Sequence, residues 1–348
     1  MRAALYLSAG DVVVDEVPDP VVADPTDAVV RVVRSCVCGS DLWAWRDTFQ
    51  RPERSRLGHE FIGVVEAVGT EVSTLAVGDL VIAPFSYADG TCPACRRGLP
   101  TSCPNTGTWG APGEDGGQGE ALRVPYADAN LVVVPGGVEG TDEAQYPALL
   151  ALSDVMATGL HGVRMSQAVE GGTVVVVGDG AVGLCAVLGA AGIINAERVI
   201  LLSTHEDRQA LGRRFGATDV VAARGEAAKE AVLELTDGQG AAAVVEAVGT
   251  PAAWATAMDC VQDGGQIGAV GVPHTMPTLE LLPPFLRNVG VRGGIAPVRA
   301  YLPDLLERVL AGSIDPGPVF DTTLPLAAVA DAYRAMDERR SVKVMLTP

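Results

Sequence analysis

Residues that could bind a metal ion lie at three separate places in the sequence. Cys38-Gly39-Ser40-Asp41 brings together a thiol, a hydroxyl and a carboxylate, Gly58-His59-Glu60 adds an imidazole and another acid, and Ser153-Asp154 follows much later. A thiolate, an imidazole and a carboxylate drawn from distant points are typical ligands of a catalytic zinc ion, which keeps one coordination position for water or substrate. Each residue alone has a simpler interpretation, Cys38 as a buried thiol, His59 as a core histidine and Asp154 as a helix cap. Together they predict a zinc site.

A second group of candidate ligands lies in an irregular segment, residues 86–120, that is rich in glycine and proline. Cys92-Pro93-Ala94-Cys95 is followed by Cys103, and Asp89 precedes Cys92 by three residues. A long segment without regular structure needs an anchor inside a compact domain. The spacing predicts a structural zinc ion bound by three sulfurs and the Asp89 carboxylate. The alternative is a loop of reduced thiols without metal, because a carboxylate suits zinc less well than a thiolate.

The first part of the chain must position these ligands mainly with β-strands. Apolar, β-branched runs at residues 12–14, 28–33, 61–65 and 80–85 are separated by prolines and glycines. No long helical period occurs before about residue 146, so we expect a mostly-β unit with irregular loops.

Two later segments complete the predicted elements of this unit. The apolar stretch 148–163 predicts one linking helix, and residues 301–310 predict another helix. Residues 342–346 predict a strand that returns to the first part of the chain.

The middle of the chain alternates between predicted strands and helices. A Thr-Val-Val-Val-Val strand at 173–177 leads into Gly178-Asp179-Gly180-Ala181-Val182-Gly183, and an apolar helix follows. In this context Gly178, Gly180 and Gly183 predict a dinucleotide site, since they allow a tight turn, close approach of the backbone to a pyrophosphate, and close packing of helix on strand. The alternation continues to about residue 270 and predicts a doubly wound parallel sheet.

The residues after the second strand of this sheet bear on the choice between NADP and NAD. An NAD-binding fold usually has a carboxylate about twenty residues beyond the glycine turn. This chain has Ser203-Thr204-His205-Glu206-Asp207-Arg208 there. Hydroxyls, a protonatable imidazole and an arginine suit a 2′-phosphate, which favours NADP(H) over NAD(H). Glu206 and Asp207 could instead serve a 2′-hydroxyl, and a helix N-cap at Ser203-Thr204 is compatible with either cofactor.

Composition and charge exclude several classes of function. The 348 residues suit two domains, 48% of them are hydrophobic, and the formal net charge is −18. The charge and the lack of a basic run predict no nucleic-acid partner and no membrane-surface partner. The chain has neither a membrane-spanning apolar run nor a signal-peptide pattern, so a cytoplasmic protein is expected. Seven cysteines, an odd number, argue against a disulfide framework.

With these segments located, the chain resembles the zinc-dependent alcohol dehydrogenases of the medium-chain dehydrogenase/reductase superfamily from end to end. The motifs that carry the resemblance, by their order and spacing, are those at 38–41, 58–60, 89–103, 154–159 and 178–183. The resemblance implies hydride transfer between NADP(H) and an alcohol, aldehyde or ketone, with zinc as the metal. It also implies a homodimer or homotetramer, and residues 289–292 could extend the sheet across a two-fold axis.

The resemblance also implies an α/β fold in two domains. A mostly-β, GroES-like catalytic zinc domain would comprise residues 1–155 and 294–348. A doubly wound Rossmann domain for the cofactor would comprise residues 156–293.

The same resemblance implies roles for single residues. The ligands implied for the catalytic zinc are Cys38, His59 and Asp154, with Glu60 close to the metal. Asp41 would orient the ligand histidine, and Ser40 would contact the substrate oxygen and take its proton. The residues implied to contact the cofactor, besides those already named, are Thr158, Val182, Val270, Val272 and Lys343, the last through the pyrophosphate. Phe85 and Trp109 would form walls of the substrate pocket.

The chain departs from the family pattern at two positions. Relatives often have His at position 43 to pass the proton onward, whereas this chain has Trp43, so the relay beyond Ser40 must use cofactor hydroxyls or water, or the pocket suits a different substrate. Asp89 stands where the structural site has a fourth cysteine. Trp43 and Trp109 either contact substrate or fill space between the domains.

Two other functions stay open at this stage. One is an NADPH-dependent reductase of C=C or C=N bonds on the same fold, and the other is a nonenzymatic NADP-binding protein. His161 and His274 are interpreted as packing or surface residues.

Overall fold

The structure, a computed structural model, describes residues 1–273, 278 and 280–348. They form two compact units, a β-rich unit comprising Met1–Asp154 with Pro297–Pro348 and an α/β unit comprising Val155–Ala296. His161 is buried in the α/β unit, whereas His274 lies outside the described residues. No helix formed by the described residues has the length and apolar character needed to cross a bilayer.

The bounds of the elements are as follows. In chain order the strands are β1 Arg2–Ser8, β2 Asp11–Glu16, β3 Ala28–Cys36, β4 Ser55–Arg56, β5 Phe61–Val68, β6 Leu80–Ala83, β7 Ser86–Tyr87, β8 Gly107–Thr108, β9 Ala121–Val124, β10 Val132–Val133, β11 Thr173–Val177, β12 Arg198–Leu202, β13 Asp219–Val221, β14 Ala241–Glu246, β15 Val261–Ala269, β16 Gly290–Gly293, β17 Phe320–Pro325 and β18 Lys343–Thr347. The α-helices are α1 Leu42–Trp45, α2 Pro93–Arg96, α3 Ala127–Asn130, α4 Tyr146–Ala151, α5 Val155–Met165, α6 Ala181–Gly192, α7 Glu206–Arg214, α8 Gly225–Leu235, α9 Pro251–Cys260, α10 Leu282–Leu286, α11 Val298–Leu310 and α12 Val329–Asp337. Short 3₁₀ helices cover Pro100–Ser102, Glu143–Gln145, Gly317–Val319 and Leu326–Ala328.

The β-rich unit is organised around a mixed sheet with the strand order β10-β6-β5-β3-β18-β17, and β9 also pairs with β3. β3 lies inside this sheet because its valines alternate into a core that includes Phe61, Leu122 and Trp109. β18 pairs antiparallel with β3 and parallel with β17. The predicted return of residues 342–346 to the first part of the chain is therefore confirmed.

The α/β unit contains a parallel sheet with the strand order β13-β12-β11-β14-β15-β16. This is the order of a doubly wound fold, and the direction of winding reverses between β11 and β14, where such folds bind dinucleotides. The central valines of β11, Val174, Val175 and Val176, are fully buried, because helices cover both faces of a sheet of this kind. The predicted α/β fold class is confirmed.

The predicted single helix over 148–163 is wrong. The stretch forms α4 and α5, with a turn at residues 152–154 between them. The Ser153 hydroxyl donates to the Leu150 carbonyl at 2.7 Å, and the Ser153 carbonyl accepts the N–H of Phe85 at 2.9 Å. Both hydrogen bonds replace helical ones. The break puts Asp154 in a turn, where its side chain can face the other candidate ligands.

Candidate zinc and dinucleotide sites

Three segments of the β-rich unit bring the first group of ligands together. Cys38 follows the end of β3, and His59 and Glu60 directly precede β5. Those two strands are antiparallel neighbours with Ser35 opposite Phe61, so the end of one lies beside the start of the other. Asp154 arrives from the turn before α5.

The donor atoms of this group have the separations that a tetrahedral zinc ion needs. Cys38 Sγ lies 3.9 Å from Asp154 Oδ2, and His59 Nε2 lies 3.6 Å from the same oxygen and 3.8 Å from Glu60 Oε1. One donor atom from each of the four residues lies within 4.8 Å of the others. Zinc bonds of about 2.0–2.3 Å require tetrahedral edges of about 3.3–3.8 Å. The residues present therefore fit the metal.

The charges in the group also favour a cation at its centre. Burial opposes a charge on His59, but Asp41, Cys38 and Asp154 outweigh it and raise the pKa of His59 well above its usual value. Glu60 Oε2 is buried and has no hydrogen-bond partner among the described residues. A divalent ion bound here would neutralise the negative charges and would give this oxygen a partner.

Lys343 forms a buried ion pair with Glu60. Their Nζ and Oε1 atoms are 2.6 Å apart, the two side chains are 1% and 0% exposed, and Nζ also donates to the Val37 carbonyl at 3.3 Å. Burial disfavours a charged ammonium, yet the surrounding acidic groups, Glu60 among them, raise the pKa of Lys343 well above its usual value. The predicted contact of Lys343 with a pyrophosphate stays a prediction.

Of the three aromatic residues predicted to line the substrate pocket, Phe85 contacts a ligand, whereas the rings of Trp43 and Trp109 contact other residues. The ring of Phe85 lies edge-on to His59 with centroids 6.4 Å apart, and Trp43 is partly buried beside Phe49, with centroids 5.5 Å apart. Trp109 is 2% exposed, contacts the rings of core residues and donates from Nε1 to the Pro84 carbonyl at 2.7 Å. The structure thus accounts for Trp109 as a core residue, and its contact with substrate stays a prediction.

The second group of ligands also converges. One donor atom each from Asp89, Cys92, Cys95 and Cys103 lies within 4.8 Å of the others. The Sγ atoms of Cys92 and Cys95 are 3.5 Å apart, and Cys95 Sγ is 3.6 Å from Asp89 Oδ1. The N–H groups of Cys92 and Thr91 lower the pKa of Asp89, which keeps the carboxylate ionised. These donors also match the edges of a zinc tetrahedron.

The glycine turn after β11 has the shape of a pyrophosphate cradle. Gly178 has a φ of +121°, and a Cβ at Gly183 would lie 1.9 Å from the Gly178 carbonyl oxygen. Gly180 precedes α6 and has nothing within 4 Å of an added Cβ. The open space before the N-terminus of α6 suits an anionic group, so the turn fits a dinucleotide.

Other predicted cofactor contacts lie at the same edge of the α/β unit or on α5. Val182 lies in the first turn of α6, Val270 and Val272 follow β15, and Thr158 lies on α5. Val270 is 9% exposed and Val272 is 48% exposed. Their contacts with a nicotinamide ring stay predictions.

The residues predicted to bind a 2′-phosphate are partly engaged within the protein. Ser203 Oγ donates to Asp179 Oδ2 at 2.8 Å, and Arg208 Nη1 lies 3.3 Å from Asp179 Oδ1. The Thr204 hydroxyl accepts a hydrogen bond from Arg224 Nη2 at 2.9 Å. His205 precedes α7 as its N-cap residue.

Comparisons with known proteins agree with this arrangement. Residues 24–136 match a family model described as the alcohol dehydrogenase GroES-like domain, and residues 181–311 match one described as zinc-binding dehydrogenase. The chain is 36% identical over 338 residues to the "Probable zinc-binding alcohol dehydrogenase Rv1895" of Mycobacterium tuberculosis, covering 96% of this chain and 84% of that protein. It is 33% identical to the zinc-type alcohol dehydrogenase-like protein AdhB of Bacillus subtilis, over 100% of both chains. Alcohol dehydrogenase TADH from Thermus sp. ATN1 superposes with a TM-score of 0.91 at 32% identity, covering 100% of this chain and 99% of that chain.

The chain belongs to the zinc-dependent alcohol dehydrogenase family. This membership confirms the predicted GroES-like and Rossmann folds, a zinc-dependent oxidoreductase of the alcohol dehydrogenase type, and the use of a nicotinamide cofactor. Such an enzyme acts on small molecules.

In this zinc-dependent alcohol dehydrogenase the contact of Asp41 with His59 belongs to a larger buried network, whose other members, Gln118 and Tyr333, the sequence did not reveal. Asp41 Oδ1 lies 3.5 Å from His59 Nδ1, while Asp41 Oδ2 accepts the N–H of Cys38 at 2.9 Å and an Nε2–H of Gln118 at 3.2 Å. Gln118 Oε1 accepts the hydroxyl proton of Tyr333 at 3.1 Å, and both side chains are buried. The network orients Asp41, and through it the imidazole, so that Nε2 faces the other ligands.

Proposed function

We propose that this chain interconverts an alcohol and its aldehyde or ketone with NADP(H), at a zinc site formed by Cys38, His59 and Asp154. The observation that carries the proposal is the separation of their donor atoms, 3.9 Å from Cys38 Sγ to Asp154 Oδ2 and 3.6 Å from that oxygen to His59 Nε2. When bound, zinc supplies Lewis-acid polarisation of the substrate oxygen, and the nicotinamide ring accepts or donates the hydride.

The residues around the ligands prepare the site for this reaction. Asp41 accepts from His59 Nδ1, which fixes the tautomer that leaves Nε2 free to bind the metal. Ser40, two residues after Cys38, accepts the alcohol proton. Trp43 cannot relay a proton as an imidazole would, so the proton would leave Ser40 through water or, with the cofactor bound, through the hydroxyls of that cofactor.

Apolar rings exclude water from the reacting atoms. Phe85 is edge-on to His59 and is bonded through its N–H to the carbonyl of Ser153, the neighbour of Asp154. This hydrogen bond fixes Phe85, the proposed wall of the pocket, to the turn that carries the ligand Asp154. Trp43 forms the opposite part of the substrate pocket in our proposal, and water exclusion strengthens the electrostatic interactions there.

We propose NADP rather than NAD because no carboxylate directly follows β12. Ser203, Thr204 and His205 occupy the three positions after it. A 2′-phosphate would be repelled by an acid at these positions and accepts hydrogen bonds from hydroxyls. Thr158, Val182, Val270 and Val272 are proposed to pack against the nicotinamide ring.

A second zinc ion is proposed at Asp89, Cys92, Cys95 and Cys103. The support is the chemistry and spacing of the four donors, together with the lowered pKa of Asp89. This ion would anchor the irregular segment 86–120 and take no part in the reaction.

We propose a homodimer or larger homo-oligomer formed through the edge of the parallel sheet. β16 is an edge strand among the described residues, and Val291 on it is 38% exposed. Exposed apolar side chains also lie on α10, which precedes β16 in the chain, where Phe285 is 77% exposed and Leu286 is 69% exposed. An unpaired edge beside an apolar patch suits association with a second copy.

The test combines metal analysis with turnover. The purified chain is expected to contain two zinc ions and to oxidise NADPH with members of an aldehyde and ketone panel. Cys38→Ala should lose one zinc and the activity, Cys103→Ala should lose the other zinc, and the control Cys260→Ala should keep both, since its thiol is buried in the core of the α/β unit. Full turnover in a Cys38→Ala, His59→Ala double variant would contradict the proposal and favour a reductase of C=C or C=N bonds. No oxidation of NADPH or NADH across the panel would contradict it as well.

A further inference from the structure

Three neighbouring strands of the α/β unit end beside one another at the edge that carries the glycine turn. β11 is followed by Asp179, β12 by Ser203-Thr204, and β13 by a short loop that reaches Arg224. The three strands are adjacent and parallel, so these loops share one end of the sheet. In a doubly wound fold this end receives the adenosine half of the dinucleotide.

Asp179 already contacts two of the side chains that the sequence predicts to bind the 2′-phosphate, Ser203 and Arg208. Its carboxylate accepts the Ser203 hydroxyl proton at 2.8 Å and lies 3.3 Å from Arg208 Nη1. Ser203 is 3% exposed and Arg208 is 9% exposed. Arg208 is therefore a buried cation whose charge Asp179 already balances, and it adds little attraction for a further anion.

Arg224 is in the opposite situation. It is exposed, its Nη2 donates to the Thr204 hydroxyl at 2.9 Å, and it forms no ion pair with any part of the chain that the structure describes. A guanidinium held by a neutral hydroxyl keeps donors in its planar fork for a phosphate. Cation and hydroxyl together form a ready site for a dianion.

We propose that Arg224 and Asp179 set the cofactor specificity of this enzyme. Arg224, with Thr204, binds the 2′-phosphate of NADP. Asp179 lies inside the glycine turn and takes the place of the carboxylate that is missing after β12. It accepts a hydrogen bond from the 2′-hydroxyl of NAD, and its negative charge repels the 2′-phosphate of NADP. The inference rests on the proposed use of the Rossmann unit for a nicotinamide cofactor, and it replaces Arg208 by Arg224 as the phosphate-binding cation.

The test uses fragments that carry no nicotinamide, so that binding is read independently of turnover. Calorimetry on the full-length protein would measure the Kd of adenosine 2′,5′-bisphosphate and of 5′-AMP. Arg224→Ala is expected to weaken the bisphosphate about tenfold or more and to leave 5′-AMP within about twofold, because only the first ligand offers the charged contact. The control Arg213→Ala removes another exposed arginine of the same unit and should change neither Kd.

Asp179→Asn is expected to change the Kd of the bisphosphate in the opposite direction. It keeps an acceptor for Ser203 but removes the charge, so the bisphosphate should bind more tightly relative to 5′-AMP. Thermal unfolding reports whether the variant folds with Arg208 unbalanced. If the Asp179→Asn variant does not fold, Arg224→Glu is used instead, because Arg224 is exposed and its replacement should not affect folding. This variant should lose binding of the bisphosphate and retain binding of 5′-AMP.

Two results would overturn the inference. One is an Arg224→Ala variant whose Kd values for both fragments change equally or not at all, and the other is a wild-type chain that binds neither fragment. The NADP assignment fails separately, if wild-type kcat/KM is higher with NAD. In that case the shifts in the Arg224 and Asp179 variants would still identify the specificity residues.

Discussion

The ion pair between Lys343 and Glu60 offers a sharp test of the site. We expect Lys343→Met to destabilise the protein strongly. Methionine fills much of the space of the lysine side chain but leaves the Glu60 carboxylate buried without its cation. The two side chains are 1% and 0% exposed and their charged atoms are 2.6 Å apart, so water cannot replace the lost partner.

The size of the effect follows from this burial. Removing one partner of a buried ion pair typically costs about 3–5 kcal/mol. For a domain of this size, each kcal/mol lowers the Tm by about 2–4 °C, so a fall of about 10 °C is expected. The double variant Lys343→Met, Glu60→Gln removes both charges and should recover most of the loss, since replacing a buried pair as a whole is often nearly neutral.

The measurement is thermal and denaturant unfolding with a chelator present, so that zinc does not stabilise Glu60. The control is Lys229→Met, which breaks the exposed pair with Glu226 and should leave the Tm and the denaturation midpoint essentially unchanged. A Lys343→Met variant within about 1 kcal/mol of wild type would refute the reasoning. A double variant as unstable as the single one would show that packing, and not charge, causes the loss.

Three further outcomes are expected. Gly183→Ala should abolish NADPH binding measured by calorimetry, because its Cβ would lie 1.9 Å from a backbone oxygen, whereas Gly189→Ala, with 3.4 Å to its nearest neighbour, should retain binding. Tyr333→Phe should lower the free energy of unfolding by about 1 kcal/mol, since it deletes one buried hydrogen bond to Gln118, and an unchanged denaturation midpoint would speak against the network. Val291→Lys should give a smaller species in analytical ultracentrifugation than wild type, and a monomeric wild type would remove the proposed interface.

The convergence of Cys92 and Cys95 and the position of the glycine turn were predictable because each is marked by local spacing. Cys92 and Cys95 lie three residues apart, and the glycine turn lies between a β-branched strand and an apolar helix, so short-range order was enough. The alternation of strands and helices likewise predicted the parallel sheet. The outcome for Cys38, His59 and Asp154 depended on their joint occurrence, because none of them is specific alone.

Other features depend on contacts between distant parts of the chain. Gln118 and Tyr333 are separated by 215 residues, and no local pattern connects them. The glycine motif predicts no role for Asp179, although its carboxylate accepts a hydrogen bond from Ser203 at the end of the next strand. The break before Asp154 was missed because the apolar run contains no proline there, and the interrupting hydrogen bond comes from Phe85 in another strand–loop segment.

The position of Lys343 in the chain has a consequence for biosynthesis. Its codon is translated about 190 residues after that of Asp154, which corresponds to about 10–40 s on the ribosome. During this interval Glu60 has no ammonium beside it, and β3 still lacks β18 as a neighbour. The ammonium that balances Glu60 therefore reaches the site only together with the strand that completes the sheet beside β3.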